Sequence, residues 1–109
     1  MGFVKTFGNL ISEARRVKGM SQKELAAQLK KEDGQAISAQ YLNDIEHDRR
    51  NPPSEYLIAQ IADLLGISKD GLLLAAGTIP DDLQRIARAQ PERVGEAFKA
   101  FRRAVKEHK

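Results

Sequence analysis

Gln40, Asn43 and Asp44 lie three and four residues apart in the stretch SAQYLNDIEHDRRNPPS, residues 38–54, and Arg49 and Arg50 follow at once. On a helix this spacing gathers the two carboxamides and the carboxylate on one side with Ala39 and His47, and turns Leu42 and Ile45 to the other. A carboxamide presents a donor beside an acceptor, a carboxylate presents acceptors only, and a guanidinium is a planar fork of donors suited to an oxyanion. This is the chemistry of recognition by hydrogen bonds, not of bond breaking. The two histidines, His47 and His108, have no metal-ligand spacing, cysteine is absent, and no nucleophile-elbow or phosphate-loop pattern occurs. No catalytic residue, metal or cofactor is expected.

The elements that must hold these side chains can be read from caps and periodicity. Phe7, Leu10, Ile11, Ala14 and Val17 recur at helical spacing and Gly19 follows, which predicts a helix from about Thr6 to Lys18. Ser21-Gln22-Lys23-Glu24 is a capping box, so a second helix starts at Gln22 and carries Leu25, Ala26 and Leu29 on one face. Lys30 to Gln35 is polar and contains Gly34, after which Ser38 caps a third helix running to about His47. Asn51-Pro52-Pro53 turns the chain. A fourth helix follows Ser54 with the stripe Leu57, Ile58, Ile61, Ala62 and Leu65 and stops at Gly66; Ser68 caps a short fifth that ends near Ala76-Gly77. Pro80 and Pro91 each suit a first helical position and open two further helices, about 80–89 and 91–107.

Composition narrows the classes. A chain of 109 residues with 41% apolar content supports one modest core and leaves no room for a separate effector-sensing domain. Without cysteine nothing points to an oxidising compartment, and no apolar run approaches the roughly 20 residues of a membrane span. A cytoplasmic protein without a membrane partner is expected. The net charge of +3 is unevenly distributed: residues 1–77 carry ten basic and ten acidic side chains, residues 78–109 eight and five. A basic patch in the first segment must therefore come from local clusters, Arg15-Arg16-Val17-Lys18 and Arg49-Arg50.

Over residues 7–76 the chain resembles the helix-turn-helix family of phage Cro and repressor proteins, also called the XRE family. The resemblance is carried in order by Arg15 and Gly19, Ser21-Gln22-Lys23-Glu24-Leu25-Ala26, Leu29, Ile37-Ser38, Tyr41-Leu42, Ile45-Glu46, Arg49-Arg50-Asn51-Pro52, Ile61-Ala62 and Leu64-Leu65-Gly66-Ile67. It implies an all-α, five-helix, lambda-repressor-like DNA-binding domain over residues 1–77. Helix three would enter the major groove of double-stranded DNA while helix two crosses the backbone. Gln22 resembles the family's phosphate-clamping glutamine. Ala39, Gln40, Asn43 and Asp44 would face base edges: the amides match adenine N6 and N7, Ala39 a thymine methyl, and Asp44 either accepts from cytosine N4 or holds a neighbouring arginine. Arg49 and Arg50 would contact phosphates, and Tyr41 either packs its ring or turns its hydroxyl to a phosphate. Arg15 and Glu46 occupy positions that form a structural salt bridge in related repressors.

One departure stands out. The family passes between helices two and three in two residues, whereas eight intervene here, Lys30 to Ile37. The added six are expected to lengthen helix two by a turn before Gly34, with Ile37 restoring the apolar plug and Lys30 and Lys31 either solvated or beside phosphates. Residues 78–109 form a C-terminal helical extension whose stripe Val94, Phe98, Phe101 and Val105 either folds back on the core or pairs with a second copy as a homodimer interface. The resulting expectation is a transcription regulator acting as a dimeric repressor on a palindromic operator. The alternative is a DNA-binding antitoxin or regulator whose last helix binds a protein partner.

Overall fold

The computed structural model describes residues 5–107; His108, one of the two histidines considered above, lies outside them. Among the described residues the chain forms seven helices and no strand: α1 (Phe7–Val17), α2 (Gln22–Gln28), α3 (Ala39–Glu46), α4 (Glu55–Leu65), α5 (Lys69–Ala75), α6 (Asp81–Ala89) and α7 (Pro91–Glu107). None of them is long and apolar enough to cross a membrane.

Each of the first five helices starts on a hydroxyl. Thr6, Ser21, Ser38, Ser54 and Ser68 accept from the backbone N–H of Asn9, Glu24, Tyr41, Leu57 and Gly71, which satisfies one of the donors left unpaired by a helix start. At Ser21 the box is complete, since Glu24 accepts in return from the Ser21 N–H. Hydrogen bonding from Ser21, first from its backbone N–H and then from its side chain, holds the Glu24 carboxyl below its ordinary pKa.

Helix ends close by a recurrent pair of bonds. After α1, Met20 N–H reaches Arg15 O and Gly19 N–H reaches Arg16 O, with Gly19 at φ +71. After α3 the same pair joins Arg49 to Asp44 and Asp48 to Ile45, and the left-handed position is taken by Asp48 at φ 57 rather than by glycine. The reason lies in its side chain. Asp48 accepts from the Gly8 N–H at 3.0 Å and from the Thr6 hydroxyl at 2.6 Å, so a carboxylate from the exit of α3 caps the start of α1.

The apolar core joins Phe7, Ile11, Leu25, Ala26, Leu29, Ile37, Leu42, Ile45, Leu57, Ile58, Ile61, Ala62, Leu65, Leu72 and Leu73. All of it belongs to the compact unit Met1–Thr78, which contains α1 to α5. The second unit, Ile79–Lys109, is a hairpin in which α6 packs on α7.

Three details differ from the sequence-based expectation. Val17 is 88% exposed, because the buried face of α1 runs through Phe7, Gly8, Ile11, Ser12 and Arg15 and leaves Val17 on the far side. Helix two does not lengthen: α2 stops at Gln28, Leu29 turns extended, and residues 30–36 fold into a small hairpin closed by a bridge between Lys30 and Ala36. A tertiary contact explains this. Gln60 on α4 receives the Lys30 N–H at 2.9 Å and donates to the Lys30 carbonyl at 2.7 Å, taking the place of a neighbouring strand. The turn is set by Gly34 N–H to Lys31 O and by Asp33 accepting from the Gln35 N–H. Ile37 is buried in the core, and its N–H returns to the Leu29 carbonyl, so the hairpin leaves and re-enters at one point. Finally, Pro80 is the residue before α6 rather than its first, whereas Pro91 does open α7.

Candidate nucleic-acid interface

The site begins with the way α3 is held. Leu42 and Ile45 are sunk in the core, which leaves Ala39, Gln40 and His47 exposed and Asn43 and Asp44 half-buried on the opposite side. The helix is fixed against α1 at backbone distance. A Cβ on Gly8 would stand 2.5 Å from both the Ile45 and Glu46 carbonyls, so only glycine permits this approach.

Behind the exposed face lies a buried ion pair. Arg15 from α1 meets Glu46 at the end of α3 through two bonds, Nε to Oε2 at 2.7 Å and Nη2 to Oε1 at 2.9 Å, and donates a third from Nη1 to the Met20 carbonyl at 2.8 Å. Arg15 is 8% and Glu46 4% exposed. The hydrogen bonding that Arg15 donates to the Glu46 carboxylate raises its pKa against the opposing effect of desolvation. Gln22, the first residue of α2, joins this pair: its Nε2 donates to Glu46 Oε1 at 2.9 Å and to Asn43 Oδ1 at 3.1 Å. Four side chains from three helices thus form one connected polar chain that ends at the exposed face.

A second, more exposed cluster surrounds Asp44. Its Oδ1 accepts from Gln40 Nε2 at 3.0 Å and lies 3.5 Å from Arg49 Nη1, and its Oδ2 lies 3.9 Å from Arg50 Nε. Arg50 also sits over the Tyr41 ring with its guanidinium carbon 4.6 Å from the centroid. Tyr41, half-buried against the core, is therefore a ledge that aims Arg50. Exposed ion pairs of this kind are individually weak, about 0–1 kcal/mol, so neither Arg49 nor Arg50 is firmly committed to Asp44. The His47 ring meets the Asn43 carbonyl at 2.9 Å. Lys30 turns its ammonium to the Ala27 carbonyl at the end of α2.

The structure brings Gln22, Gln40, Tyr41, Asn43, Asp44, Arg49 and Arg50 onto or beside one helix face, with Arg15 and Glu46 beneath. Val94, Phe98, Phe101 and Val105 belong to α7 in the other unit, where Val94 is half-buried and the remaining three are exposed. Sequence reasoning missed Gly8 and Asp48. Both left a signal: a glycine in the first turn of an apolar helix, and a helix end at His47 with no glycine after it. No group of three or more His, Cys, Asp or Glu side chains able to hold a metal ion occurs among the described residues.

Comparison with known proteins bears on the family and the fold. A family model described as helix-turn-helix matches residues 11–72. Among solved structures, a SinR protein/SinI protein complex aligns with a TM-score of 0.53 at 21% identity, covering 94% of this chain and 100% of that one. The clp gene regulator ClgR from Corynebacterium glutamicum aligns with a TM-score of 0.52 at 23% identity, covering 88% of this chain and 89% of the other. At these identities the two structures speak to the fold alone. No curated protein matches the chain. With Ser21-Gln22 opening α2, Ile37-Ser38 leading into α3 and the Arg15–Glu46 pair locking α3 to α1, the chain belongs to the Cro and repressor type of helix-turn-helix family.

Proposed function

We propose that this protein is a cytoplasmic, sequence-reading transcription regulator that binds double-stranded DNA as a homodimer and represses by occupying a palindromic operator. The observation that carries the reading is the face of α3. Two carboxamides and a carboxylate stand clear of the core on a helix held rigidly from behind, and two arginines flank its exit. In the major groove, Gln40 and Asn43 address base edges, Ala39 a thymine methyl, and Asp44 either a cytosine amino group or the two arginines. Arg49, Arg50 and the Tyr41 hydroxyl meet phosphates and set register. Gln22 stands at the same edge with its carboxamide oxygen and backbone N–H; its side-chain donors reach a phosphate only by leaving Asn43 or Glu46.

Dimerisation is assigned to Val94, Phe98, Phe101 and Val105 on α7. A symmetric pairing of these stripes would bury them, and dimers of this motif read half-sites about one DNA turn apart, roughly 34 Å. The same exposure supports a second reading, in which α7 binds a different protein, as in a DNA-binding antitoxin or a regulator controlled by a partner. One of the two similar structures is itself a complex of a SinR protein with a SinI protein.

Selection of the purified protein on random duplex DNA at physiological salt tests the proposal. A palindromic motif is the expected outcome. An asymmetric half-site would favour the partner reading, and the absence of any enriched sequence would overturn sequence reading by α3.

A further inference from the structure

Asn43 is not free to choose which edge of its amide it shows. Glu46 is a carboxylate already bonded through both oxygens to Arg15, so the group Gln22 turns towards it must be its NH2, and this settles the orientation of the Gln22 carboxamide. The second hydrogen of that NH2 then points at Asn43, which answers with its carbonyl oxygen at 3.1 Å. Asn43 therefore holds its oxygen towards Gln22, and the groups it has left to offer are its two N–H donors. Gln40 contrasts with it. Its amide touches only Asp44 on the same exposed surface and can rotate to offer either edge.

We infer that Gln22 is a specificity-determining positioning residue: through the Arg15–Glu46–Gln22–Asn43 chain it fixes Asn43 as a donor, so that Asn43 selects guanine. This rests on the reading of α3 as the DNA-recognition helix. A carboxamide free to rotate pairs with adenine by accepting from N6 and donating to N7, whereas one held donor-outward meets a repulsive N6 amino group on adenine. Guanine offers two adjacent acceptors, O6 and N7, whereas the acceptors of an A·T pair, adenine N7 and thymine O4, are separated by the N6 amino group. The buried ion pair thus reaches base choice without touching DNA.

The test is random-duplex selection on the full chain with the wild type, Asn43→Ala, Gln22→Met and Asn43→Asp, each checked for an unchanged helical spectrum and cooperative melting. Asn43→Ala identifies the position that Asn43 reads. At that position the wild type is expected to select a G·C pair, and Gln22→Met, which keeps the length of the side chain but has no polar donor, to admit A·T as well while the remaining positions hold. Asn43→Asp retains the inward oxygen and loses the outward donors, so it should weaken the operator about tenfold or more. This arm keeps the proposal testable if Gln22→Met fails to fold. An A·T pair selected by the wild type at that position, a G·C preference untouched by Gln22→Met, or full affinity of Asn43→Asp would overturn the inference and leave DNA reading intact. No enriched sequence from the wild type would overturn the DNA reading on which it rests.

Discussion

The two compact units use apolar residues in opposite ways. In Met1–Thr78 every helix contributes to the core, and Ile11, Leu25, Leu29, Leu42, Ile45, Ile61, Leu72 and Leu73 are fully enclosed. In Ile79–Lys109, α6 has no buried residue, and Leu83, Ile86, Phe98, Phe101 and Val105 remain exposed although both helices are strongly amphipathic. Five short helices packed on one another can surround a shared interior, whereas two helices side by side enclose only the line between them. The first unit therefore has what it needs to be rigid, and its polar groups can be held to a fixed geometry. The second presents apolar surface of the kind that proteins use to associate.

Substitutions in the two units should separate these roles. The largest effect is expected in the core: Ile61→Ala should cost about 3 kcal/mol, read as a lowered urea midpoint, because the surroundings cannot close over the lost methyl groups. Phe101→Ala should barely change that midpoint and should instead convert the proposed dimer to monomer in light scattering; a dimer that persists would remove α7 from the interface. Glu46→Ala belongs with the first class, since it strands Arg15 beside the core, and about 3 kcal/mol is expected in the same unfolding experiment. Gly8→Ala should cost about 1–3 kcal/mol by forcing α1 away from the α3 carbonyls.

Smaller effects concern the surface of the first unit. Arg49→Ala should leave stability unchanged and flatten the log–log salt dependence of DNA binding by about 0.9, one phosphate contact; an unchanged slope would remove Arg49 from the interface. Glu24→Gln should be the mildest. The folded-state pKa of Glu24 is depressed, so the stability it adds is fully present above the ordinary value of 4.5 and is lost as pH falls through the lower folded value. Acid unfolding of the variant should accordingly show a slightly shallower pH dependence than that of the parent.

The starts of α1 to α5 were legible because they are local. Thr6, Ser21, Ser38, Ser54 and Ser68 bond to N–H groups three residues on, and no distant part of the chain is needed to place them. The stripe of α4 was legible for the same reason, since Leu57, Ile58, Ile61, Ala62 and Leu65 follow one period and one core face. Val17 misled because periodicity gives a stripe its spacing but not its centre, and Gly8 and Arg15 pull the buried face of α1 towards α3.

What the sequence determined by itself is the order of helices, their caps, the apolar side of α3 and the family to which the motif belongs. The first three depend on residues within a few positions of one another, and the family on the order in which such local motifs follow along the chain. Tertiary structure decided the rest. The extra residues became a hairpin instead of a longer helix because Gln60, thirty positions away, bonds both backbone groups of Lys30. The exit of α3 closes on Asp48 because Thr6 and Gly8 await its carboxylate. The amide of Asn43 faces one way because Glu46, fixed by Arg15, first orients Gln22. In each case a polar group finds its partner across the fold, and hydrophobic spacing along the chain carries no record of that choice.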